Sequence, residues 1–134
     1  MAANFLTYSR RKWRGKGYYV EGTEQISRVP GGLTRRHDLF GFCDLLALPS
    51  RRDSQILVDD RTWVFIQVTS WGHVSTRLRK IQNEKHGRGQ WEIPISTLAR
   101  HVLERGDKIL IEGWKLDKGR WICKERWLTL EDLE

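Results

Sequence analysis

Two apolar runs, each broken once by a polar side chain, constrain the fold of this chain more than any other feature. Gly41 to Leu48 reads GFCDLLAL, and Trp63 to Ser70 reads WVFIQVTS. Both have the length and the aliphatic and aromatic content of buried strands. Asp44 interrupts the first and Gln67 the second, and each carries an oxygen able to ligate a metal. An unpaired carboxylate is expensive to bury, so a strand with an acid in its middle usually gives it a partner. Side chains alternate between the faces of a strand. Phe40, Phe42, Asp44 and Leu46 therefore share a face, as do Trp63, Phe65, Gln67 and Thr69, with Val64, Ile66 and Val68 on the other. If the two strands are neighbours, Asp44 and Gln67 meet across the ladder.

At 134 residues the chain is read as one domain, 1–134, large enough to bury a core without disulfides. The 24 Lys and Arg against 17 Asp and Glu give a net charge of +7, which favours a polyanionic partner, most often nucleic acid. The alternative, charge that only maintains solubility, is weakened by clustering. Arg10, Arg11, Lys12, Arg14 and Lys16 lie together, as do Arg35 and Arg36, Arg51 and Arg52, Arg77, Arg79 and Lys80, and Lys115, Lys118, Arg120, Lys124 and Arg126. Cys43 and Cys123 sit in expected strands and read as buried hydrophobes; with no His or Cys at ligand spacing they make no zinc site. Neither a signal peptide nor a bilayer-length apolar run is evident, so the expected setting is a reducing cytoplasm with no membrane partner.

Phe5 to about Arg14 reads as a short basic helix ended by Gly15 and Gly17, and Tyr18 to Ile26 as a strand carrying Glu21 and Glu24. A loop from Pro30 through Asp38 leads to the Asp44 strand, which stops at Pro49. Arg51 to Asp60 is a charged connection with a short extended piece at Gln55 to Val58. After the Gln67 strand, Val74, Leu78 and Ile81 give His73 to Asn83 one apolar helical stripe. Glu84 to Gln90 is a basic loop, and Thr97 to Glu104 a second helix ending at Gly106. Asp107 to Trp114 and Arg120 to Leu128 form a hairpin about Asp117, Lys118 and Gly119, and the tail is one helical turn. Helices among at least four strands predict an α/β domain with a mixed central sheet.

Helix, three strands, helix, strand, with an acid in the second strand and a polar triplet in the third, resembles the PD-(D/E)XK nuclease superfamily. CDLLAL, FIQVTS and the closing LTLEDL are most similar to the archaeal-type Holliday junction resolvases and related phage nucleases. The resemblance covers roughly residues 5 to 97. It implies a restriction-endonuclease-like αβββαβ core, with the C-terminal hairpin strand added, and a magnesium-dependent endonuclease acting on branched or duplex DNA, manganese being the other metal. It also implies a homodimer, since two symmetric cuts resolve a four-way junction.

By that resemblance Asp44 stands at the metal-binding aspartate, Gln67 at the glutamate of the triplet, the Val68 carbonyl at the main-chain ligand and Thr69 at the lysine. Gln67 keeps a neutral oxygen for a hard cation but lowers the negative charge of the site by one. Glu24, Glu21 or Asp38 would supply the additional acid, Glu24 being preferred. Lys80 or Arg77 would replace the missing lysine from the following helix. The expected catalytic set is thus Asp44, Gln67, Glu24, Lys80 and Thr69, with Asp44, Gln67, Val68 and Glu24 on the metal. The expected DNA contacts are Arg10, Arg11, Arg35, Arg36, Arg77, Lys80, Lys115, Lys118 and Arg120. Each has a plainer reading. Asp44 can be a strand-end acid satisfied by backbone amides, Gln67 a hydrogen-bonded core amide, and Asp38 a turn cap. The hairpin's Trp114, Trp121 and Trp127 can be packing rather than grip. The corresponding second function is a nuclease fold without chemistry that binds DNA or serves assembly.

Overall fold

The computed structural model describes residues 2–23, 25–28, 34–49 and 62–134, with side chains described over 5–23, 38–49 and 62–134. It is a mixed α/β structure whose centre is a five-stranded sheet. Helix α1 (Ala2–Gly15) leads through a turn at Gly17 into β1 (Tyr18–Gly22). There the expected strand from Tyr18 to Ile26 breaks. Thr23 gives its N–H to the Asp44 carbonyl (2.9 Å) and its hydroxyl to the Cys43 carbonyl (2.5 Å), which closes the ladder beyond Gly22. The next residues form a separate antiparallel pair, β2 (Gln25–Arg28) with β3 (Thr34–His37), so Arg35 and Arg36 lie in a strand and not in the expected loop.

β4 (Leu45–Pro49) also begins later than its sequence suggests. Leu39 to Cys43 fold into a tight turn in which Leu39 and Cys43 exchange both backbone hydrogen bonds, at 3.0 Å each. Phe40 and Gly41 take φ of 56° and 82° there. A positive φ is ordinary for glycine and strained for an aromatic residue, so this turn is held by its surroundings. Asp44 is left at the mouth of β4.

The remaining elements are β5 (Val64–Ser70), α2 (Val74–Asn83), β6 (Lys85–His86), β7 (Ile93–Pro94), α3 (Ile95–Glu104), β8 (Lys108–Asp117) and β9 (Arg120–Trp127). The basic loop after α2 thus contains the small β6–β7 hairpin, and α3 starts two residues earlier than its pattern predicts. The sheet order is β1-β4-β5-β8-β9. β1–β4, β4–β5 and β8–β9 are antiparallel; β5–β8 is parallel, with α2 and α3 in the crossover.

Strand alternation decides which layer each residue joins. Val64, Ile66 and Val68 of β5 pack with Leu45, Ala47, Leu110 and Trp114 beneath α1, where Trp13 is buried. Phe65 joins Phe42, Ile109 and Ile111 beneath α2 and α3, against Val74, Ile81, Ile95, Ala99 and Val102. Each fully buried aliphatic side chain contributes about 1.5–3 kcal/mol. Gly113 of β8 admits α2 closely, since a Cβ there would collide with Val74 Cγ2.

The α1 layer contains a buried polar network. Glu112 of β8 is wholly buried and accepts hydrogen bonds from Ser9 Oγ (2.5 Å), Lys12 Nζ (2.9 Å), Trp13 Nε1 (2.6 Å) and Trp114 Nε1 (3.2 Å). Lys12 also pairs with Glu125 at 2.6 Å. Burial pulls the Lys12 ammonium down, but its contacts with Glu125 and Glu112 outweigh this and hold it above the ordinary lysine value. Trp121 stacks on Tyr8 and meets Phe5 edge-on, Trp114 lies against Tyr8, and Trp127 against Trp13. The hairpin tryptophans dock α1. Among the described residues no helix is long and apolar enough to cross a membrane.

Candidate metal and nucleic-acid site

The turn from Leu39 to Cys43 folds the chain back on itself and so brings Asp38 beside Asp44. Asp44 Oδ2 accepts the Val68 N–H at 2.8 Å and the Gln67 amide N–H at 2.6 Å; the same amide nitrogen is 3.5 Å from Asp38 Oδ2. Gln67 is buried in the middle of β5, on the face that parity gives it. Its amide spans two carboxylates, and a carboxylate can only accept, so its nitrogen has to face them. Asp44 also completes the ladder: β4 stops pairing at Leu45, and the carboxylate takes the Val68 N–H beyond that point.

Burial pushes the Asp44 carboxyl up to about 8, and the hydrogen bond and charge of Asp38 push in the same direction; the Val68 N–H and the Arg77 charge oppose them. The raised Asp44 carboxyl thus faces a second carboxyl in the same site, and two like charges there repel. A cation placed between them would relieve the same repulsion.

Arg77 of α2 is therefore near enough to act on the carboxyl pair. With His73, Thr76, Lys80 and Glu84 it lines a groove of about 410 Å³ along α2. Among the described residues neither Arg77 nor Lys80 forms an ion pair. At the start of α2, Ser70 Oγ lies 2.5 Å from His73 Nδ1, so this histidine, isolated in sequence, is anchored in the groove. Beyond it, Lys115 and Lys124 approach the ring of Trp71 at 4.2 and 4.9 Å.

The fold thus gathers Asp44, Gln67, Val68, Arg77 and Asp38, with Lys80 in the adjoining groove. Thr69, at the place where the resemblance puts a lysine, is buried on the Gln67 face of β5. Glu24 lies outside the described residues, as do 50–61 with their expected extended piece. Arg35 and Arg36 are placed by backbone alone in β3. Arg10 and Arg11 belong to α1, on the sheet face opposite α2, and Lys118 and Arg120 are exposed at the hairpin turn. Cys43 is buried, and burial pushes both its thiol and that of Cys123 up to about 12, so both remain protonated.

Sequence reasoning missed the Glu112 network and the Trp71 site. An acid inside KILIEGW beside Trp114 was the available signal for the first; for the second it was a tryptophan directly after a strand end. Comparison with protein-family models, curated proteins and solved structures finds no match to this chain.

Among the described residues no group of three His, Cys, Asp or Glu side chains converges. The available donors are the carboxylates of Asp38 and Asp44, the Gln67 side-chain oxygen after rotation of its amide, and the Val68 carbonyl. In extended backbone the N–H and C=O of one residue point to the same edge, so the Val68 carbonyl faces the Asp44 side. An all-oxygen set with two charges suits magnesium or manganese.

Proposed function

We propose that this chain is a metal-dependent DNA endonuclease, resolvase-like, cutting branched or structured DNA by phosphodiester hydrolysis. The observation that carries this reading is the Asp38–Asp44 pair over Gln67, with Arg77 beside it and an open cationic groove along α2. Further support comes from the strand order. With the β2–β3 and β6–β7 hairpins set aside, the antiparallel β1, β4 and β5 followed by helices and the parallel β8 are compatible with an αβββαβ core.

Asp44, Asp38, Gln67 and the Val68 carbonyl would hold the ion, with Glu24 as a further acid. When bound, magnesium supplies Lewis acidity and lowers the pKa of water at the site. The protein's own cations do the rest. Arg77 and Lys80 would hold the phosphate and balance the charge that develops on it, the work Thr69 cannot do. Contacts from Lys115, Lys118 and Arg120 would supply affinity without reading sequence. Cutting a four-way junction symmetrically would require a two-fold dimer.

One observation favours the second reading, a nuclease fold that binds DNA without cutting it. Asp44 is already satisfied by an amide side chain and a backbone N–H, as a structural strand-end acid would be. A cleavage assay on four-way junction, duplex and single-stranded DNA, with magnesium, manganese or EDTA, decides between the two. Metal-dependent cutting lost in Asp44→Ala supports the nuclease; binding on every substrate with no cutting supports the second reading.

A further inference from the structure

The β6–β7 hairpin joins α2 to α3, and in its loop Trp91 is 77% exposed, more than any other large apolar side chain among the described residues. Trp91 belongs to neither core cluster. The loop that carries it is nevertheless braced. Trp91 N–H donates to the Arg88 carbonyl (3.0 Å), Glu92 N–H donates to the Gly89 carbonyl (3.1 Å), and Lys85 pairs with Glu92 at 3.5 Å. Gly87, at φ 91°, lies so close that an added Cβ would meet the Trp91 carbonyl at 2.6 Å.

The base of the hairpin rests on the turn that positions the carboxylates. A Cβ on Gly41 would meet Ile95 Cδ1 at 2.9 Å and His86 Nδ1 at 3.2 Å, and Gly41 lies between Asp38 and Asp44. The surroundings of the indole choose its occupant. A protein-docking tryptophan sits within a packed apolar patch. This one stands apart from the core, and its turn also carries Gln90 and Arg88, exposed and in no ion pair among the described residues, while Lys85 is taken up by Glu92. A flat π-face with a free guanidinium in the same turn suits a nucleobase that stacks while its phosphate meets charge.

We propose that Trp91 is a stacking platform for an unpaired base, which makes DNA with unstacked or branched positions the preferred substrate class. This rests on the DNA-binding reading above. The test is binding in EDTA of wild type, Trp91→Ala, Trp91→Phe and Gly87→Ala to two DNAs of equal length, an intact duplex and one with an unpaired bulge. Loss of base stacking typically weakens binding by about 5- to 150-fold, so Trp91→Ala should lose that much on the bulged DNA and little on the duplex. Trp91→Phe should retain most of the preference. Gly87→Ala, which keeps the indole but displaces its support, should lose part of it. The unfolding midpoint of Trp91→Ala should match wild type, because the side chain is outside the core. Equal weakening on both DNAs, or none on either, overturns the platform while leaving DNA binding intact; a wild type that binds neither DNA overturns both proposals together.

Discussion

Asp44 holds a proton that an exposed aspartate would release in mild acid. Asp44 is raised from 3.8 to about 8, chiefly by burial and then by Asp38. Between those values the folded protein binds more protons than the unfolded chain. The corresponding stability is complete below about pH 4, declines as pH rises, and is lost through pH 8. The denaturation midpoint should therefore fall from pH 5 to pH 8, and Asp44→Asn, neutral throughout, should flatten that fall. If the site holds magnesium as proposed, the ion should raise the wild-type midpoint more at pH 8 than at pH 5, because it competes with the proton on Asp44. Identical pH profiles for wild type and Asp44→Asn would show that the Asp44 carboxyl is not raised in the folded protein. Of the two α2 cations that line the groove, Arg77 is the one whose charge acts on Asp44. If the chain cuts DNA as proposed, Arg77→Ala should lower turnover by about a hundredfold, and by more than Lys80→Ala, with DNA affinity changed less than rate in both. The reverse order would give the rate-determining charge to Lys80.

At the scale of elements, α1 is fastened to β8 through one buried carboxylate. Lys12→Met removes the cation and strands Glu112 among its remaining donors, which should cost about 3 kcal/mol, whereas replacing both partners with apolar residues should cost far less. Equilibrium denaturation of both singles and the double measures this, and additive losses would deny the coupling. The fold was largely legible because alternation is a strong signal. Phe65 and Gln67 against Ile66 and Val68 sorted β5 correctly, and Asp117-Lys118-Gly119 marked the hairpin turn, where Lys118 and Gly119 take φ of 49° and 78°. The meeting of Asp44 with Gln67 followed from the same parity. The turn at Phe40 was not legible, since an aromatic residue at positive φ carries no turn signature; Asp38, one of three candidates for the additional acid, reaches Asp44 through that reversal. Glu112 was hidden for another reason. Its partners on α1 lie 99 to 103 residues away, and no local pattern reaches that far.

Across the whole molecule the positive charge divides between two faces. Arg10 and Arg11 ride on α1, while Arg77, Lys80, Lys115 and Lys124 border the groove and the Trp71 ring. Lys12 is consumed internally. If DNA lies along the α2 face, converting Lys115, Lys118 and Arg120 to Glu should shallow the slope of log affinity against log salt by about 0.9 for each phosphate that is no longer neutralised. Replacing Arg10 and Arg11 with Ala should leave that slope nearly unchanged. A larger effect from the α1 pair would put DNA on the other face. The Glu112 network also sets a clock. Synthesis proceeds at about 5–20 residues per second, so α1 waits roughly 5–20 seconds for the strand that holds its partner. Through that interval the Trp13 indole N–H lacks the carboxylate that accepts it. Contacts of such long sequence separation form slowly, and in pulse-labelled hydrogen exchange during refolding the amides of α1 should gain protection after those of α2 and α3.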